Sequence, residues 1–138
     1  MIVLDASLAL AWLFGEDSSP EITALFDEAN LRQLIVPPLW HLEVSNVLVI
    51  AERKGRITPA ELARYVNDLR DLPITTADVS PESIRNDILP LAQRERLTVY
   101  DAAYLHLTMK MEAFLATLDA DLRAAARRNG LSLLPDGN

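Results

Sequence analysis

Five acids stand where a carboxylate could do chemistry: Asp5, Glu43, Asp101, Asp119 and Asp121. Asp5 closes the apolar run Ile2-Val3-Leu4, and Asp119 closes a second one at residues 114–118. Such runs suit strands buried on both faces of a parallel sheet. The carboxyl tips of such strands all point one way, and open α/β sheets bind ligands there. Glu43 interrupts the stretch LWHLEVSNVLVIAERK, expected to be a helix apolar nearly all round and so largely buried. An ionised glutamate in a dry helix is costly unless it is paired or holds a metal. Asn46, three residues on, shares its face. Each acid also has an ordinary reading. Asp5, Asp101 and Asp119 would serve as helix N-caps, Asp121 as a first-turn acid favoured by the helix dipole, and Glu43 as a residue that meets solvent.

Together the acids imply more than they do singly. Asp5 and Asp119 belong to one edge of a parallel sheet, and helices carrying Glu43 and Asp101 could lean over it. Two unit charges about 4 Å apart repel by about 4 kcal/mol at an effective dielectric of 20. A divalent ion removes that conflict, and oxygen-only ligation is what hard ions such as Mg²⁺ or Mn²⁺ prefer. A pair of such ions suits in-line displacement at phosphorus. Rival chemistries lack their residues. There is no glycine-rich phosphate loop and no serine in a nucleophile elbow. His41 and His106 are isolated, with no zinc spacing or triad pattern around them. Trp12 and Trp40 read as core or interface anchors.

The elements that must position these acids alternate between short strands and helices. Strands are expected at residues 2–4, 34–36, 73–76, 114–118 and 131–134. Helices are expected at 6–14, 20–29, 39–54, from the Thr58-Pro59-Ala60-Glu61 capping box onward, from Ser80-Pro81 onward, at 102–111 and at 122–128. Pro90 should kink or divide the helix it falls in. Strand–helix alternation means βαβ units: a three-layer α/β/α sandwich with a central parallel sheet of four or five strands, in one domain over residues 1–138. Residues 136–138 read as a polar tail.

The 138 residues are half hydrophobic and a quarter charged, ordinary for a globular protein. The absence of cysteine excludes disulfides, iron–sulfur clusters and cysteine zinc sites. No basic segment precedes Ile2, which argues against a secretory signal, and no apolar stretch is long enough for a membrane span. The net charge of −7 speaks against a nucleic-acid partner if taken alone. Acids gathered in one pocket answer it, because they bind cations that in turn bind phosphate.

Four stretches, in order, carry a family likeness: Val3-Leu4-Asp5-Ala6-Ser7; Glu43-Val44-Ser45-Asn46-Val47-Leu48; Tyr100-Asp101-Ala102-Ala103-Tyr104-Leu105; and Ala116-Thr117-Leu118-Asp119-Ala120-Asp121-Leu122. They cover nearly the whole chain, which resembles PIN-domain ribonucleases and specifically the VapC-like toxins of type II toxin–antitoxin modules. The resemblance implies that Asp5, Glu43, Asp101 and Asp119 match an acidic quartet around Mg²⁺ or Mn²⁺, with Asp121 an additional acid. It implies that Ser7 and Asn46 orient the acids or metal-bound water, and that Thr117 is the polar residue of the fourth motif. It further implies a metal-dependent endoribonuclease in the cytoplasm and a small VapB-like antitoxin laid across the acidic cleft. Homodimers, or larger toxin–antitoxin complexes, and no membrane partner complete the expectation.

Basic groups that could grip RNA are Arg53, Lys54 and Arg56 after the third long helix, and Arg94 and Arg96 before Asp101. Two rivals stand beside this reading. One is a Mg²⁺-dependent phosphatase or phospho-accepting domain, although the paired acids and late lysine of a receiver are not evident. The other is a catalytically silent interaction module, against which the intact quartet argues.

Overall fold

The computed structural model describes residues 1–137, so Asn138, the end of the expected tail and domain, lies outside the described residues. The apolar runs become five parallel strands: β1 Ile2–Leu4, β2 Leu34–Val36, β3 Thr75–Thr76, β4 Phe114–Ala116 and β5 Leu133–Leu134. Their order across the sheet is β3-β2-β1-β4-β5, with every pairing parallel. The helices are α1 Ala6–Leu13, α2 Pro20–Leu25, α3 Glu28–Leu31, α4 Leu39–Arg53, α5 Pro59–Asp71, α6 Pro81–Ser83, α7 Leu89–Glu95, α8 Val99–Met111 and α9 Ala120–Arg128, with a π-helical turn at Ile84–Ile88 between α6 and α7.

Both faces of the sheet are covered. Ile2, Val3 and Leu4 of the central strand are 6%, 0% and 0% exposed, as a strand between two helical layers must be. Right-handed crossovers put α1 to α5 on one face and α6 to α9 on the other. In agreement, α1 packs on α4 and α4 on α5, whereas α8 packs on β1, β4, α7 and α9. The chain leaves β1 toward β2 but leaves β4 toward β5, so the winding reverses between these two neighbours. A crevice opens at the carboxyl ends of strands where the winding reverses, and the residues after β1 and β4 are Asp5 and Thr117.

Local chemistry explains where the elements begin and end. Gly15 and Gly55 take φ +69°, the left-handed conformation in which a helix exit favours glycine. The Thr58–Glu61 capping box forms in full, at 3.1 and 3.0 Å. Ser19 and Ser80 cap the helices that open on Pro20 and Pro81.

Four expectations need correction. The helix expected over 20–29 is two pieces, because Asp27 adopts extended backbone and starts a new helix while Phe26 turns to stack on Trp12 at 4.0 Å. Asp27 makes no side-chain capping bond, and periodicity does not register such a change of backbone direction. Second, α4 is not buried nearly all round. Only Trp40, Val44, Leu48 and Ala51 are buried, while His41, Leu42, Ser45, Asn46 and Val47 are exposed, because only one layer packs against it. Third, α8 begins at Val99, earlier than expected, with Thr98 as its cap. Fourth, the last strand is confined to Leu133–Leu134. Pro90 does divide its helix: the π turn, closed by the Leu89 amide on the Ile84 carbonyl, comes just before it. Among the described residues no helix is long and apolar enough to cross a membrane.

Candidate active site

Asp5 follows the central strand and is 5% exposed, a burial that an ionised carboxylate tolerates only with hydrogen-bond partners. It occupies the N-cap position of α1, yet its side chain makes no capping bond, so the capping reading does not hold. Its Oδ2 instead accepts the hydroxyl protons of Ser7, at 2.6 Å, and Thr117, at 2.7 Å. Each hydroxyl has one proton to give, and its oxygen is oriented from behind by a backbone amide. The Leu118 amide donates to Ser7 Oγ at 3.3 Å, and the Asp119 amide donates to Thr117 Oγ1 at 3.0 Å. Two parallel relays thus tie the turn between β4 and α9 to the carboxylate after β1. That turn is also held from beneath. Buried Arg123 donates to the Thr117 carbonyl at 2.9 Å, and to the carbonyls of Pro135 and Gly137 at 2.8 and 2.9 Å.

Glu43 comes from the opposite helical layer. Its Oε1 accepts from the hydroxyl of Tyr104 at 2.5 Å, a bond that joins α4 to α8 over the sheet edge. Tyr104 is fully buried. Burial, and then the Glu43 it donates to, push its hydroxyl well above the usual tyrosine range and keep it a donor. Sequence reasoning quoted Tyr104 without a role. The available signal was its spacing, three residues after Asp101 on one helical face. Arg123 gave no comparable signal, because its partners are backbone carbonyls.

Asp101 lies in the first turn of α8, half-buried. It is not the cap, because its own amide donates to Thr98 Oγ1 at 3.1 Å. The pattern Thr98-x-x-Asp101 is a capping-box signature of which only this half forms, leaving the carboxylate free. Burial first, then repulsion from Asp119, Asp5, Glu43 and Asp121, raises its pKa from 3.8 to about 6. The Asp5 and Glu43 carboxyls are also raised, in each case mainly by burial. Asp119 is a true cap, its Oδ1 accepting from the Leu122 amide at 2.8 Å, and Asp121 is exposed two residues on, in the first turn of α9. The structure therefore brings Asp5, Glu43, Asp119 and Asp121 within electrostatic reach of Asp101, with Ser7 and Thr117 attached to Asp5. Asn46 is not among them: it is exposed, and no hydrogen bond among the described residues ties it to an acid. Arg53, Lys54, Arg56, Arg94 and Arg96 are all at the surface.

The donor set is all oxygen and in excess negative charge, which fits a hard divalent cation. Among the described residues no three of these side chains already form a metal cage, so the fit is one of chemistry and field. The result is a doubly wound α/β protein with a group of acids at the carboxyl edge of its switch point.

A sequence profile of the PIN domain matches residues 2–128. The chain is 30% identical over 121 residues to Ribonuclease VapC3 of Pyrobaculum aerophilum, spanning 88% of this chain and 91% of that relative. The fold is similar to the crystal structure of PAE2754 from Pyrobaculum aerophilum, with TM-score 0.75, 21% identity, and coverage of 96% of this chain and 88% of that one. It is also similar to a toxin–antitoxin complex from Klebsiella pneumoniae, with TM-score 0.59, 19% identity, and coverage of 86% and 87%. The chain belongs to the PIN-domain family, on its VapC-like branch.

Two predictions follow from the geometry. Between pH 3.8 and about 6 the Asp101 carboxyl is protonated in the native chain and ionised in the unfolded one. The native state then binds more protons, so the stability of the cation-free protein falls as pH rises through that window. Asp101→Asn should flatten this fall and raise the melting temperature above pH 6, measured by thermal denaturation in chelator. A variant that melts with the wild-type pH profile would show that Asp101 does not feel its neighbours. Tyr104→Phe should cost about 1.5 kcal/mol in urea denaturation. It should also weaken Mn²⁺ binding by titration calorimetry by roughly 10-fold or more, as removal of an orienting partner does.

Proposed function

We propose that this protein is a metal-dependent endoribonuclease toxin that cleaves RNA phosphodiester bonds with water and is neutralised by a cognate VapB-like antitoxin. The observation that carries this reading is the convergence of Asp5, Glu43, Asp119 and Asp121 around Asp101 on one sheet edge, where burial and then these acids raise the Asp101 carboxyl to about 6. In support, the chain belongs to the PIN-domain family, and the relative it matches along most of its length is named a ribonuclease.

In this reading Asp5, Asp101 and Asp119 hold a divalent cation, with Glu43 and Asp121 completing the acid set. When bound, Mg²⁺ or Mn²⁺ supplies Lewis acidity, making water a stronger nucleophile and offsetting charge that builds on the phosphate oxygens. Ser7 and Thr117 keep Asp5 Oδ2 fixed, so the carboxylate presents one orientation. Tyr104 does the same for Glu43, which stands ready to accept a proton from the attacking water. The 2′-hydroxyl is not the nucleophile, so the products carry 5′-phosphate and 3′-hydroxyl ends.

The partners fit the surface. A groove of about 500 Å³ lined by Ser7, Leu10, Phe14, Val47, Ile50 and Arg56 opens beside the acids. Its apolar lining suits an antitoxin segment, and the acids suit an arginine carried on it. A second, almost wholly apolar cleft holds Pro37, Leu42, Ile84, Val99 and Tyr100. Leu42 is 76% exposed and Tyr100 65%, large apolar side chains that stand together in solvent at the mouth of this cleft. We assign this face to a second copy of the chain, in a homodimer that works in the cytoplasm among its RNA.

Asp5→Asn should abolish both Mn²⁺ binding and RNA cleavage, by more than about 100-fold, the upper end for loss of an outer partner alone. Chelator should do the same to the wild type, and end analysis should find 5′-phosphates. Cyclic 2′,3′-phosphate ends would overturn the mechanism, and cleavage that survives Asp5→Asn would overturn the site. Leu42→Lys should convert dimer to monomer in light scattering without unfolding the chain, because Leu42 packs on nothing in its own core.

A further inference from the structure

On the Asp121 side of the acids, the end of α7 and the outer face of α9 enclose a groove of about 390 Å³. Asp121, Ala124 and Arg128 line it from α9 at a spacing that puts them on one helical face. The groove thus starts at an acid of the candidate site and runs one face of α9 outward. Arg94 and Arg96 line its other wall.

These three guanidiniums are arranged differently. Glu95 holds Arg128 at 2.9 Å and Arg94 at 3.5 Å, and Arg94 also donates to Asn129 at 2.9 Å. Arg96 makes no ion pair among the described residues and is exposed. It also sits in the left-handed region, at φ 57° and ψ 41°, as the residue that ends α7. Glycine takes that conformation freely, and this chain uses glycine for it at residues 15, 55 and 130. Glu112, at the end of α8, is the one other non-glycine described in it. An arginine held there, free of partners and beside a second arginine, has a conformational penalty that its own contacts do not offset.

We infer that this groove carries the RNA strand away from the cleavage site, with backbone phosphates held by Arg96 and Arg128. The inference rests on the ribonuclease reading above. A chain of net charge −7 repels RNA as a whole, so it needs local cations next to the acids. Guanidinium forks match phosphate oxygens in pairs. Glu95 fixes the direction of Arg94 and Arg128, engaging Arg128 through Nε and Nη2 and leaving its Nη1 for a phosphate, while Arg96 has no acid partner among the described residues. The groove on the Ser7 side is no equal: there Arg56 alone faces Glu16 and Glu61, whereas here three arginines stand against Glu95 and Asp121.

The test is cleavage of a fluorescent single-stranded RNA in Mg²⁺ over a range of salt, with Arg96→Gly, Arg128→Gln and, as control, Arg32→Gln near the amino edge of the sheet. Each groove variant should raise KM several-fold with kcat held. Each should also reduce the slope of log KM against log salt by about 0.7, the value for one lost phosphate contact on a single strand. Arg96→Gly should raise the melting temperature at the same time, since glycine relieves the left-handed residue; a purely structural arginine would lower it. If the wild type cleaves RNA and both variants keep its KM and salt slope, the groove is overturned and the ribonuclease reading stands. Competition by poly-glutamate as strong as that by RNA of equal charge would assign the groove to an acidic peptide and overturn it too. If the wild type cleaves no RNA, the ribonuclease reading falls first and the groove with it.

Discussion

The rest of the site depends on the pair of hydroxyl bonds to Asp5 Oδ2. A carboxylate at the tip of a central strand, 5% exposed, would be protonated or displaced if nothing donated to it. Ser7 and Thr117 donate, and each can do only that with its single proton, because amides of the β4–α9 turn occupy their oxygens. The parallel register that sets Leu4 beside Ala116 makes this possible, since it brings the residues after β1 and β4 side by side. Asp119 then gains its place from the same turn. Its amide serves Thr117 and its carboxylate caps α9.

The second constraint is repulsion, and it acts against stability. Burial and four neighbouring acids raise the Asp101 carboxyl to about 6, so the apo fold carries unfavourable charge near neutral pH. Proteins keep such strain where it has a use. A cation would offset these repulsions, and among the described residues no basic side chain pairs with any of these acids. Arg123, the buried guanidinium nearest the turn, is taken up by the carbonyls of Thr117, Pro135 and Gly137. It holds the turn's backbone and leaves the carboxylates unneutralised.

The strands and most helix boundaries were legible because they rest on local chemistry: apolar runs, Ser-Pro and Thr-Pro caps, and glycine exits. The doubly wound layout followed from strand–helix alternation. The burial of α4 was not legible, because the composition of one helix does not say how many layers pack on it. Leu42 and Val47 look like core residues in sequence and face solvent in the fold. The acids were legible as candidates, but their ordinary readings were sorted only in three dimensions. Asp119 is a cap, whereas Asp5 and Asp101 are not. Tyr104 could be placed on the Asp101 face of α8 by its spacing, but its partner Glu43 could not, and Arg123 was out of reach altogether, because each acts through a partner more than five residues away that no short-range pattern encodes.

Net charge is the number in the sequence that speaks most against the proposed ribonuclease reading, and the arrangement of the charges answers it. A total of −7 argues against phosphate only if the charges are spread evenly. Here five of the acids share one edge, where their joint field favours a cation over any anion. The arginines that could meet an anion stand at the end of α7 and on α9, in a groove that they share with Asp121. A phosphodiester is suited to such a boundary, because its reacting oxygens can face a cation in the cleft while its neighbouring phosphates face the guanidiniums. The acidic total and the phosphate chemistry are therefore compatible, provided that Arg96 and Arg128 are read by their position next to Asp121 and not by their contribution to the sum.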